Sequence, residues 1–221
     1  MPVLEITLEP NESVVAVSGE LSWMTESIAL NTTTQHGGGG GFLGALKRVA
    51  AGGSLFMTEY TAHGAAGMVA FAAKLPGHIV PLTLAPGDEY LVHRHGFLCS
   101  VPTVEMALGF QQSLGAGIFG GDGFLLQRLS GQGQAWVEVG GEAVVYDLVA
   151  GQKLRVHPGH VGIFQASVDF RITSIRGIRN ALFGGDGLFL AELTGPGRVW
   201  LQTLTVSNLA HALAPYFPQR G

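Results

Sequence analysis

The sequence predicts an all-β protein, sandwich or barrel, made of three similar units in a pseudo-threefold arrangement with short helices. Three observations predict it. First, the stretch Phe119-Gly-Gly-Asp-Gly-Phe-Leu-Leu-Gln-Arg-Leu-Ser-Gly-Gln-Gly-Gln-Ala-Trp136 returns without a gap as Phe183-Gly-Gly-Asp-Gly-Leu-Phe-Leu-Ala-Glu-Leu-Thr-Gly-Pro-Gly-Arg-Val-Trp200, 64 residues later. A long period of this kind marks a repeated supersecondary unit. Second, a strand–turn–strand phrase recurs three times, with Asn11, Gly87 and Gly151 at the same place in the turn. Asn and Gly best tolerate positive φ, so one turn accounts for all three. Third, 34 glycines sit in a chain that is 47% hydrophobic and lacks a collagen period, which fits many tight turns between short strands.

The elements follow in order. Val3 to Glu9 alternates apolar and polar residues, as a half-buried strand does. Pro10-Asn11-Glu12 turns the chain into a second strand, Val14–Val17. The first copy of the long stretch begins at Gly52-Gly53, and its hairpin is widened by His63-Gly-Ala-Ala-Gly67 before a strand from Met68 to Phe71. The phrase returns as strands around Val80–Leu84 and Tyr90–Val92, then around Val145–Leu148 and Leu154–Val156. Before each Gly turn lies a short segment: Phe42–Val49, Gln111–Ile118 and Ile175–Leu182. Phe42, Leu46 and Val49 share one helical face, and so do Ile175, Ile178 and Leu182, which predicts short helices or helical turns. A last short helix is expected over Ser207–Leu213, ended by Pro215. These readings place units at 1–78, 79–143 and 144–214, with a tail at 215–221. A unit this small buries little apolar surface alone, so the three must share a core or pack in a ring.

Charged residues make up only 13%, so self-association is expected to cover part of the surface. With 12 basic and 16 acidic residues the net charge is −4, which argues against a nucleic-acid partner. Cys99 is the only cysteine, so no internal disulfide forms, and it reads as a small buried hydrophobe. The opening Met-Pro-Val-Leu-Glu-Ile-Thr-Leu reads as a strand rather than a signal peptide, and no apolar run reaches the ~20 residues that span a bilayer. A cytoplasmic protein is the expectation.

Candidate chemistry centres on His93 and His95. Two apart on a strand, they face one side, as two imidazoles on one divalent metal must. Gly87-x5-His93-x-His95 is similar to the first half of the cupin motif, but no Glu follows closely and Glu105 is the next acid. His157-Pro-Gly-His160 is loosely similar to the second half. The competing reading is of two polar residues on an exposed strand face. His36 followed by five glycines resembles the oxyanion loop of lipases, yet no Gly-x-Ser-x-Gly elbow accompanies it and no Gly-Lys-Ser/Thr makes it a phosphate loop. Asp122 and Asp186 each sit in a Gly turn, where an Asx-type turn accounts for them. Trp136 and Trp200 hold one position, with Ala70 or Phe71 near it in the first unit, and read as packing residues. Lys47 and Arg48 beside Phe42 and Leu46 form a small basic amphipathic patch, a candidate for weak membrane-surface contact.

Across nearly the whole chain, Gly39-Gly-Gly-Phe-Leu-Gly-Ala-Leu-Lys-Arg48, Gly53-Ser-Leu-Phe56, Phe71-Ala-Ala-Lys-Leu-Pro-Gly-His-Ile-Val80, Phe183-Gly-Gly-Asp-Gly-Leu188 and Gly195-Pro-Gly-Arg-Val-Trp-Leu-Gln-Thr203 resemble one family. It is the bacterial relatives of the mitochondrial-biogenesis (altered inheritance of mitochondria) proteins. The resemblance implies three β-sandwich units per chain, similar to the tryptophan RNA-binding attenuation protein (TRAP-like) and related to the double-stranded β-helix. It brings no catalytic or cofactor residues, and implies a loose link to membrane organisation. RNA and tryptophan binding do not carry over to this acidic chain. The expectation is a non-enzymatic, self-associating β scaffold that presents its rim to a protein partner. The alternative is a cupin-like metal-dependent enzyme using His93 and His95.

Overall fold

Apolar–polar alternation in the first strand puts Leu4, Ile6 and Leu8 on the buried side and leaves Val3, Glu5 and Thr7 exposed. The same logic repeats along the chain. The computed structural model describes residues 1–33, 57–112, 124–174 and 189–217. Among them the first third holds β1 (Val3–Leu8), β2 (Ser13–Val17), β3 (Trp23–Met24), β4 (Ile28–Thr33), β5 (Met57–Ala62) and β6 (Gly67–Ala72). The middle third holds β7 (Gly77–Leu84), β8 (Tyr90–His93), β9 (Phe97–Ser100), β10 (Val104–Gln112), β11 (Phe124–Gly131) and β12 (Gly133–Gly140). The last third holds β13 (Ala143–Leu148), β14 (Lys153–Val156), β15 (Val161–Gln165), β16 (Asp169–Ser174), β17 (Phe189–Thr194) and β18 (Gly197–Gln202), with a 3-10 turn at Pro158–His160. Helix α1 (Val206–Leu213) follows, capped where Thr205 Oγ1 accepts from Asn208 N at 3.0 Å, and runs into a 3-10 turn containing Pro215.

The described residues are mostly β, in several sheets and without a barrel. Among them all strand pairings are antiparallel. In each third the first strand pairs with the sixth, the sixth with the third, the fourth with the fifth and the fifth with the second. Two further pairings join the thirds: β2 to β9, and β8 to β15. Two six-stranded sheets result, β4-β5-β2-β9-β12-β7 and β10-β11-β8-β15-β18-β13. Two three-stranded sheets remain, β1-β6-β3 and β14-β17-β16.

Because side chains alternate across a strand, β2 and β8 each feed two cores. Val14 and Ala16 enter the first core with Tyr60, Phe71, Leu98 and Cys99. Val15 points the other way, into the second core with Leu84, Val92, Val137 and Ile163. Likewise Tyr90 and Val92 enter the second core, while Leu91 enters the third with Phe164, Leu193 and Val199. Each fully buried side chain of this size is worth about 2–3 kcal/mol relative to exposure. The thirds are therefore welded by shared apolar residues as well as by strand pairing.

The turn reading holds at all three matched positions: Asn11 has φ 72°, Gly87 has φ 93° and Gly151 has φ 77°. Leu8, Leu84 and Leu148 face Gly67, Gly133 and Gly197, which matches Trp136 and Trp200 to Ala70. There the indole comes from the neighbouring strand instead: Trp23 of β3 stands opposite Ala70. Trp136 packs against the first core and Trp200 against the second, one third back in each case. Cys99 is fully buried and its thiol pKa is pushed up by that burial. The unit edge expected at 78/79 falls inside β7, and that at 143/144 inside β13. Of the three segments expected as helices, the middle one begins as strand, since Gln111 and Gln112 end β10; its remainder, the other two segments, the three Gly turns with Asp122 and Asp186, the His36 loop and the Lys47–Arg48 patch lie outside the described residues.

Candidate functional site

The ends of elements from all three thirds meet around a cavity of about 250 Å³. Lys74 and Leu75 come from the β6–β7 connection, His93 and His95 from β8 and the turn after it, Glu138 and Gly140 from the end of β12. Gln202 ends β18, and Leu204 and Val206 lead into α1. Both sequence-singled histidines thus line one cavity. They do not do so as two residues of one strand face. β8 stops at His93, and His95 lies in a tight turn closed by Gly96 N donating to His93 O at 2.8 Å. Gly is required at 96, where a Cβ would sit 2.6 Å from the His93 ring.

His93 Nε2 lies 2.9 Å from the main-chain oxygen of Glu138 and donates to it. Burial pushes its pKa from 6.5 down to about 4, against the opposing pull of that hydrogen bond. The pKa of His95 is lowered first by burial and then by the charges of Arg94 and Lys74. Both rings are neutral at pH 7. The Glu138 carboxylate accepts from Lys74 N at 2.7 Å through Oε2, and Oε1 is 3.6 Å from Lys74 Nζ, which also pairs with Glu20. Burial raises the Glu138 pKa, with Lys74 opposing.

The same bracing recurs one third later. Gln202 lies 64 residues after Glu138, and its Oε1 accepts from Gly140 N at 3.0 Å, as Glu138 accepts from Lys74 N. His160 Nδ1 lies 2.7 Å from Gln202 O, as His93 Nε2 lies by Glu138 O. Gln202 Nε2 also donates to Gly159 O at 2.9 Å. His157 caps its own 3-10 turn, accepting from Gly159 N at 3.3 Å, with its ring 5.9 Å from that of His160. Sequence reading missed Glu138 and Gln202, although their 64-residue spacing was a usable signal. It also missed that His93 and His160, at unmatched positions, serve matched carbonyls.

Chemically, two neutral imidazoles beside a carboxylate of raised pKa offer proton-transfer groups. Among the described residues, no three His, Cys, Asp or Glu side chains converge as metal ligands would. Nor is any described helix long and apolar enough to cross a membrane.

A second, more open depression of about 320 Å³ lies over the β8–β15 junction. Arg198 grips Asp147 through Nε–Oδ1 at 2.6 Å and Nη2–Oδ2 at 2.9 Å, beside Trp200, whose ring meets Tyr90 edge-on at 6.1 Å. Its charged groups are spent on each other.

An uncharacterised protein of Streptococcus pyogenes serotype M6 is 28% identical over 221 residues, an alignment covering 98% of this chain and 87% of that one. A crystal structure of a Streptococcus pyogenes protein superposes with a TM-score of 0.77 at 25% identity, over 98% of this chain and 94% of its own. The sequence pattern described as mitochondrial biogenesis AIM24 matches residues 1–204, and the chain belongs to that family.

Proposed function

We propose that this protein is a non-enzymatic β scaffold, made of three copies of one six-strand, TRAP-like sandwich unit, that self-associates and presents a surface to a protein partner. One observation carries the reading. His93 and Glu138, two of the polar side chains that looked catalytic, are committed to main-chain atoms, in a bracket that recurs one third later through His160 and Gln202. A catalytic group needs a free atom within reach of substrate. The common pairing pattern of the thirds supports the three copies. A pseudo-threefold setting of those copies would bring β14 alongside β3, two edges with no neighbour among the described residues. The low charge content supports self-association, and the net charge of −4 speaks against nucleic acid. We place the protein in the cytoplasm and, from its resemblance to the mitochondrial-biogenesis proteins, link it loosely to membrane organisation. The cupin-like alternative has one point in its favour: His93 and His95 share a cavity.

Light scattering after size exclusion tests the scaffold reading. The expected result is a mass at multiples of 23.1 kDa that rises with concentration. A strict monomer at every concentration refutes self-association.

A further inference from the structure

We propose that the free edge of β14 in one copy pairs antiparallel with the free edge of β3 in a second copy, head to tail, a surface that rests on the self-association reading and gives it a location. The chain makes this kind of junction twice within itself. The second strand of one third pairs with the third strand of the next, with Val15 opposite Ser100 and Ala16 opposite Cys99, then Leu91 opposite Phe164 and Val92 opposite Ile163. Stepping on from β2 and β8 leaves β14, and stepping back from β9 and β15 leaves β3. Among the described residues each has one neighbour in its sheet.

Exposure differs between the made junctions and the unmade one, Val156 at 8% apart. Val15, Val92, Cys99 and Ile163 are all at 0% exposure. Trp23 and Met24 of β3 stand at 45% and 37%, and the side chains of Lys153 and Arg155 of β14 at 57% and 66%. A strand edge with no neighbour, beside an exposed indole, makes a template for strand addition.

The register follows from the made junctions. Arg155 is 64 residues beyond Leu91, and Met24 faces Val69 two residues after Gly67, as Ser100 faces Ala135 two residues after Gly133. Arg155 then falls opposite Met24, Val156 opposite Trp23, and Lys153 opposite the exposed Glu26. Lysine on an edge strand normally repels indiscriminate pairing. Here it selects an edge bearing an acid. Both basic residues also bond Glu192, which leaves one positive charge in excess on β14. Because different patches meet, the contact is heterologous, and copies add until a ring closes or a filament grows.

The test uses the full chain carrying Glu26→Cys and Lys153→Cys, with Cys99 buried out of reach. On mild oxidation, disulfide-linked dimers and higher multiples are expected. A disulfide confined to the monomer, meaning that the third junction closes within one chain, overturns the proposal, as does no cross-link. In parallel, Lys153→Glu and Glu26→Lys singly are expected to weaken association at least tenfold by light scattering, and the double reversal to restore it. Val145→Lys on the exposed β13 edge should leave association unchanged, and loss of association there moves the contact to β13. A wild-type monomer sinks the self-association reading itself. A wild-type oligomer indifferent to both reversals sinks this junction alone.

Discussion

Acid should expose what His93 does. In the folded protein its pKa is about 4, against 6.5 when free, because burial disfavours the charged ring. The unfolded chain therefore binds a proton more readily between those values. Stability from this group is intact above pH 6.5 and is lost progressively as pH falls toward 4. At ~1.36 kcal/mol per pKa unit, the whole shift is worth about 3 kcal/mol. His93 keeps slight solvent contact, so about 2 kcal/mol is the expected figure. The perturbation is His93→Gln, whose amide can still donate toward the Glu138 carbonyl but cannot titrate. The assay is urea unfolding of wild type and variant at pH 7.0 and 4.5. Between the two pH values wild type should lose about 2 kcal/mol more than the variant. His95 and His157, also lowered by burial, act in the same direction, and Glu138, raised by burial, opposes them. All three remain in both proteins and cancel in the difference. Equal losses in the two proteins would refute the account of His93 as a buried neutral brace.

Other outcomes follow from the same geometry. Glu138→Ala leaves the Lys74 amide and Glu20–Lys74 pair without their buried acceptor and should cost about 2–3 kcal/mol in urea unfolding, whereas Glu138→Gln, which copies Gln202, should cost under about 1 kcal/mol. A comparable loss for both variants would show that the charge rather than the acceptor matters. Gly151→Ala, at φ 77° with open space around it, should cost about 1–2 kcal/mol from backbone strain alone, and Gly151→Asn less, since Asn11 already adopts that conformation. The melting temperature should fall by roughly 2–4 °C per kcal/mol for a chain of this size, and no fall for the alanine variant would overturn the turn argument.

Alternation and turn chemistry are local properties, so much of the strand grammar was legible. Val3–Leu8, Ser13–Val17 and the turns at Asn11, Gly87 and Gly151 stand where the pattern puts them. So does α1, expected over Ser207–Leu213 and ended by Pro215. The 64-residue period, a matter of matching residues to residues, already pairs Glu138 with Gln202 and Trp136 with Trp200. What the chain could not declare is which strands lie side by side, because antiparallel neighbours such as β1 and β6 are joined through residues some 60 positions apart. It follows that the site was half visible. His93 and His95 announce themselves by type, but the partner of His93 is a main-chain carbonyl, which every residue carries and no sequence marks. Trp23 makes the same point: it reads as a stray aromatic until β3 sets it across from Ala70, filling the place that Trp136 and Trp200 fill from the other strand. Residue identity decides which surfaces prefer burial. Only folding decides which of them meet, and among the described residues it leaves the edges of β3 and β14 without a neighbour.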